Sequence, residues 1–220
     1  MAKSGSRLPR SNEDLRRASL AVQYELMSLY AAYYFAEKAN VGWMSDDRSK
    51  AFSNTCVHSM LLAARSLLAF LYSHNPRESD IVAEDFFDDP TVWQAKRVVP
   101  SPEMADGLLV TQISKHLAHL TWHRAEDKKN LWGGFRIVWS IVLAIESFVN
   151  LFDRAKVHEA LGTDVAMMKV MLQAVLNQHP EWAGLMAPSL DSMHFDSLAY
   201  FGDLNRDADD DEDELGLQSL

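Results

Sequence analysis

The residues best equipped for chemistry lie in one ten-residue stretch, Lys115-His116-Leu117-Ala118-His119-Leu120-Thr121-Trp122-His123-Arg124. Read as a helix turning ~100° per residue, it has a core line through Leu109, Ile113, Leu117 and Leu120. Measured from Ile113, His116, His119 and His123 fall at roughly -60°, -120° and -80°, on one flank of that line, and Arg124 falls near +20°, on the line itself. Three readings fit. The first is a polar edge on a packed helix. The second is a metal site, because His-x2-His and His-x3-His spacings bring imidazoles onto neighbouring turns. His116, His119 and His123 are its candidate ligands, yet no His-Glu-x2-His or Glu-x2-His motif accompanies them. The third is general acid–base work by His119 or His123, with Arg124 or Lys115 holding an anion, since imidazole titrates near neutrality.

A second polar set surrounds Arg65, seven residues after His58 and so on nearly the same helix face. Its apolar neighbours Leu62, Leu67 and Leu68 predict a side chain running along a helix–helix groove toward an acid, because an unpaired buried charge is costly. Asp80, Glu84 and Asp85 are the candidate partners. The expectation is a network joining Arg65, these carboxylates, His119 and Arg124, serving either as a site or as an anchor for the acidic loop. Glu25 and Glu146 border apolar stripes and are further candidates. Gly-x-Gly-x2-Gly, a phosphate-binding loop and Gly-x-Ser-x-Gly are absent. The lone Cys56 reads as core, and a single cysteine excludes a disulfide scaffold. No cofactor or bound metal is expected.

The elements that must position these groups are helical almost throughout. Ser11 or Asn12 caps a first helix whose stripe is Leu15, Ala18, Val22, Leu26, Leu29 and Tyr33, running to about Ala39. Its aromatic end, Tyr30, Tyr33, Tyr34 and Phe35, predicts packing against other helices. The second helix starts near Asp46 or Asp47, carries Phe52, Cys56, Met60, Ala63, Leu67 and Phe70, and stops at His74-Asn75-Pro76. Arg77 to Pro102 reads as a long ordered loop pinned by its aromatic residues. A third helix is expected from Ser101 or Pro102 to His123 or Arg124. The fourth, about Phe135–Leu161, is apolar on most of its circumference and therefore central. Gly162 is its expected C-cap, and Thr163 the N-cap of a fifth helix with Val165, Met168, Leu172 and Val175. A short last helix is expected near Leu190–Tyr200. The fold class is all-α, a bundle of four to five main helices.

The formal net charge is -10 over 220 residues, and it is unevenly placed. Residues 203–220 hold eight acids and one base, Arg206, and carry -7; the rest carries -3. Like charge repels itself, so 203–220 reads as a disordered acidic tail. Lys3, Arg7 and Arg10 make 1–10 a disordered basic segment, leaving 11–202 as one helical domain. The near-neutral body keeps nucleic acid possible as a partner. Met1–Arg10 is polar with no apolar stretch after it, and Ile137–Phe152 is short and interrupted by Glu146. Both point to a cytoplasmic protein that avoids the membrane.

Three segments, Ala64-Arg65-Ser66-Leu67-Leu68-Ala69-Phe70, Asp80-Ile81-Val82-Ala83-Glu84-Asp85-Phe86 and Ala118-His119-Leu120-Thr121, resemble a recurrent group of uncharacterised bacterial helical proteins. That resemblance spans about Asp46 to Arg124 and implies no activity. More loosely the chain is similar to the HEPN superfamily, whose members include RNases of toxin and defence systems. The HEPN motif sets four to six residues between an arginine and a histidine. Here Lys115 and His119 have three between them, as do Arg154 and His158. The expectation is a protein acting through protein partners or self-association, with exposed aromatics as contact surface. The alternative is a HEPN-like RNase or nucleotide-binding protein built on His119, His123, Arg124 and Lys115.

Overall fold

The computed structural model describes residues 10–38, 47–73, 75–100, 104, 107–118, 134–152 and 156–180, without the side chains of 47, 49, 50, 112 and 115–118. Among these residues the chain is all-α, as expected. The helices are α1 (Asn12–Lys38), α2 (Asp47–Tyr72), α3 (Pro90–Lys96), α4 (Leu108–Ala118), α5 (Gly134–Leu151) and α6 (Glu159–Gln178). A 3-10 turn, Ala83–Phe86, precedes α3. The expected last helix near Leu190–Tyr200 and both charged termini lie outside the described residues.

α1 starts where its sequence says. The Ser11 hydroxyl accepts the Asp14 N–H at 3.1 Å and donates to the Asp14 carboxylate at 2.6 Å, satisfying a donor the first turn leaves open. That hydrogen bond holds the Asp14 carboxyl below its ordinary range. Leu15, Val22, Leu26, Leu29, Ala32, Tyr33 and Ala36 then form a buried stripe. α2 returns alongside α1, so that Arg10, just before α1, donates to the Glu78 carbonyl, just beyond α2, at 2.6 Å. Cys56, Met60, Ala63, Leu67 and Phe70 face the core as expected, and Phe52 does not; it is exposed. α5 contacts α1, α2 and α6 and half of its eighteen residues are buried, a central place it shares with α2, which contacts α1, α4, α5 and the 3-10 turn. Ala51–Tyr72 and Gly134–Leu151 are long and apolar enough to cross a membrane, but 56% and 50% of their windows are buried in the bundle.

The loop is ordered, and it carries two elements absent from the sequence reading. Asp89 caps α3 by accepting the Thr91 N–H at 2.9 Å, and Pro90 fills the first helical position, where its missing N–H costs nothing. Trp93 and Phe86 are fully buried. Their rings meet Phe148 edge-on, with centroids 5.8 and 5.2 Å away, and Phe70 meets Phe148 at 5.1 Å. Such T-shaped pairs each add about 0.5–1.5 kcal/mol beyond area burial. The Trp93 indole N–H donates to the Leu71 carbonyl at 3.1 Å, and the Tyr72 hydroxyl donates to the Val98 carbonyl at 2.5 Å. The loop is thus sewn to the end of α2.

Two boundaries are corrected. Gly107 has φ 78°, which no α-helix can pass through, so one helix cannot run from Ser101 to His123; the described helix begins at Leu108. Likewise the fourth helix ends at Leu151, and the next starts at Glu159 under a His158 cap, whose Nδ1 accepts the Ala160 N–H at 3.2 Å. Gly162 and Thr163 therefore lie inside α6 and cap nothing. Gly162 sits against α5, where a Cβ would meet Val149 Cγ1 at 3.5 Å.

Candidate functional site

The residues singled out for chemistry fare unequally. His119, His123 and Arg124 lie outside the described residues, and Lys115 and His116 are described only as backbone of α4. Among the described residues no group of three or more histidine, cysteine, aspartate or glutamate side chains could hold a metal.

The loop carboxylates serve the loop itself. Asp80 Oδ2 accepts the Arg77 N–H at 2.7 Å, and Asp85 Oδ2 accepts the Val82 N–H at 3.2 Å, closing the 3-10 turn. Glu84 Oε1 accepts from the Gln94 amide at 2.9 Å. Arg65 is exposed on α2 and makes no ion pair among the described residues. The expected groove position fails because Arg65 follows Ala64 on the solvent side, while Ala64, Leu67 and Leu68 occupy the core. What the structure brings together is Asp80 and Asp85 with their own turns and Glu84 with Gln94 of α3.

Other polar groups tie the helices together, and of these only Glu146 is among the candidates named from the sequence. Ser19, fully buried in α1, accepts the His158 N–H at 2.9 Å and donates to the Arg16 carbonyl at 2.7 Å. One turn on, the Gln23 amide donates to Asp164 at 2.5 Å. The charge of His179 reaches Glu37 at the far end. The two hydrogen bonds, residue 19 with 158 and residue 23 with 164, show α1 and α6 running side by side in the same direction. Lys156, with only 10% of its side chain exposed, pairs at 2.5 Å with Asp88, which is 96% exposed. The ammonium therefore reaches solvent through its partner while its stem stays packed. Lys169 bonds both Glu146 oxygens, at 2.7 and 2.9 Å, tying α6 to α5.

At the far end of α1, Tyr33 is buried against Phe135, ring centroids 6.2 Å apart, and its hydroxyl has no hydrogen-bond partner among the described residues. Burial, then the Glu37 and Tyr30 charges, push the Tyr33 hydroxyl well above the ordinary phenol range. Burial also raises the Glu37 carboxyl, and His179 offsets part of that. Glu25, farther back on α1, is raised by burial alone.

The outer face of α1 is different in kind. Tyr24 is 71% exposed, and Leu20, Met27, Tyr34 and Phe35 are exposed with it. On α6, Val170 is 70% exposed, with Met167 and Met171 also open. Met171 lies seven residues after Asp164, and so on the side of α6 that meets α1. At the start of α1 a shallow cavity of about 450 Å³ opens between Arg16, Arg17, Leu20 and His158. The sequence signal for this face was present in the tyrosines and methionines, which are enriched where proteins meet. Packing against other helices was expected for the whole aromatic end, and only Tyr33 does so fully; Tyr34 and Phe35 are open. Compared with protein-family models, curated proteins and solved structures, the chain matches none.

Proposed function

We propose that this is a cytoplasmic helical-bundle protein that acts through protein partners or self-association, with the outer face of α1 and α6 as its working surface. The observation that carries the reading is the run of large apolar side chains on that face, with Tyr24 and Val170 each about seven-tenths exposed. Single exposed apolar residues are ordinary, whereas five large ones on one helix, Leu20, Tyr24, Met27, Tyr34 and Phe35, mark an interaction surface. The His158 N–H bond to Ser19 and the Gln23 bond to Asp164 lock α6 beside α1, so the face is presented preformed and loses little entropy on binding. The aromatic and thioether content suits a protein surface, since tyrosine offers contact area with few rotatable bonds.

A photoreactive amino acid at Tyr24 or Val170, installed in the full chain in its native cells, tests this. Discrete protein adducts from these two positions, and none from the exposed α2 position Ser66, are expected. Illumination that yields no adduct from Tyr24 or Val170 sinks the reading.

A further inference from the structure

The exposed face of α1 has an order that a general contact surface does not need. Flanked by the exposed Arg16, Ala21 and Phe35, one line of outward residues on α1 runs Glu13, Arg17, Leu20, Tyr24, Met27, Ala31, Tyr34 and Lys38, all exposed. They recur at spacings of four and three residues in strict alternation, the seam of a heptad repeat. This seam is separate from the buried stripe that faces α2. Over 25 residues at 1.5 Å each it is ~38 Å long.

The seam is also its own complement when reversed. A two-fold axis midway between Tyr24 and Met27 sets Tyr24 opposite Met27 of a second copy, a ring against a thioether. Leu20 falls opposite Ala31, large against small, as interdigitated layers require. Arg17 falls opposite Tyr34, a cation against a ring face. Glu13 falls opposite Lys38, an ion pair. Each end already carries a polar pair in the single chain: Glu13 bonds Arg17, and the Lys38 ammonium sits 5.5 Å from the Tyr34 ring centre. Antiparallel docking brings the acid–base end against the ring–base end. Parallel docking would instead set Glu13 on Glu13, Arg17 on Arg17 and Lys38 on Lys38, stacking like charges.

We infer that the protein pairs with a second copy of itself through this seam, the two α1 helices antiparallel about a two-fold axis between Tyr24 and Met27. The inference rests on the interaction reading above and names its partner. Such an interface is isologous, so it closes at two copies and does not propagate.

The test uses the full chain. Sedimentation is expected to give twice the 24.9 kDa mass, falling to the single mass in Tyr24→Glu with helicity retained. Orientation is read from two cysteine variants, Leu20→Cys and Ala31→Cys, oxidised separately and mixed. Cys56 is buried and does not compete. In the antiparallel pair, Leu20 sits eleven residues along the axis from its own copy, ~16 Å, beyond disulfide reach. Only the mixture should therefore yield the covalent dimer, joining positions 20 and 31. Self-linking of each variant alone would mean parallel helices and overturn the inference. A single-copy mass throughout the attainable concentration range would also overturn it. In that case adducts from Tyr24 to a different protein would leave the interaction reading standing, and no adducts would end both.

Discussion

Replacing Ser19 by alanine isolates one hydroxyl that joins two helices. In α1 this side chain donates backward to the Arg16 carbonyl and accepts the His158 N–H, at the cap of α6. Removing it leaves that amide without its acceptor beside a fully buried position, which costs about 1–3 kcal/mol. Alanine returns up to about 0.5 kcal/mol through better helix propensity. The net expected loss is ~1–2 kcal/mol, or ~2–8 °C in Tm for a chain of this size. Two other serines supply the control. Ser59 and Ser66 also donate to the carbonyl one turn back, at 3.0 and 3.2 Å, but they are exposed and accept no long-range N–H. Ser59→Ala and Ser66→Ala should be neutral or gain up to about 0.5 kcal/mol. Urea unfolding gives the three stabilities, and hydrogen exchange at the His158 amide reports the local bond. If Ser19→Ala matches the two controls and His158 exchange is unchanged, the bond contributes nothing and the argument for a locked α1–α6 pair fails.

Two further outcomes bear on the same architecture. Gly162→Ala should stabilise the protein by about 0.5–1 kcal/mol in thermal or urea unfolding, because Gly162 lies inside α6 and its Cβ would make an ordinary contact; destabilisation would mean that the glycine terminates a helix after all. For Glu37, whose carboxyl is raised by burial, the stability it contributes is full below the ordinary carboxylate range and is lost as pH rises through the raised value. Glu37→Gln should therefore match or trail the parent near pH 4 and overtake it at neutral pH. Parallel Tm–pH curves would refute that.

Much of this fold was legible because its signals are local. The Ser11 cap, the buried stripe of α1 and the apolar circumference of α5 all follow from periodicity and capping chemistry. The Asp89-Pro90 start of α3 was just as legible by the same chemistry, but it lay within an acidic stretch whose charge argued for a loop. The α5–α6 boundary was not legible. Gly162-Thr163 is a strong local stop-and-start signal, whereas the real start uses His158, a residue with no special capping preference, secured by a long-range bond from Ser19. Arg65 shows the opposite failure: apolar neighbours in sequence said nothing about which side of α2 it occupied.

The contact face was only partly legible, for a related reason. Once Leu15, Val22, Leu26 and Leu29 explain why α1 folds, the remaining apolar residues look like surplus. They are not randomly placed: the core stripe and the outer seam lie on opposite sides of one helix, with Ser19 and Gln23 between them on the flank that α6 covers. A helix apolar on two sides needs a partner for each. Within one chain α1 has α2 and α5 for its inner side and α6 for its flank, and the outer side keeps Tyr24 in solvent. The polar flank is what separates the two requirements. It fixes α6 without covering the seam, and so leaves the outer side exposed and open to its own reverse.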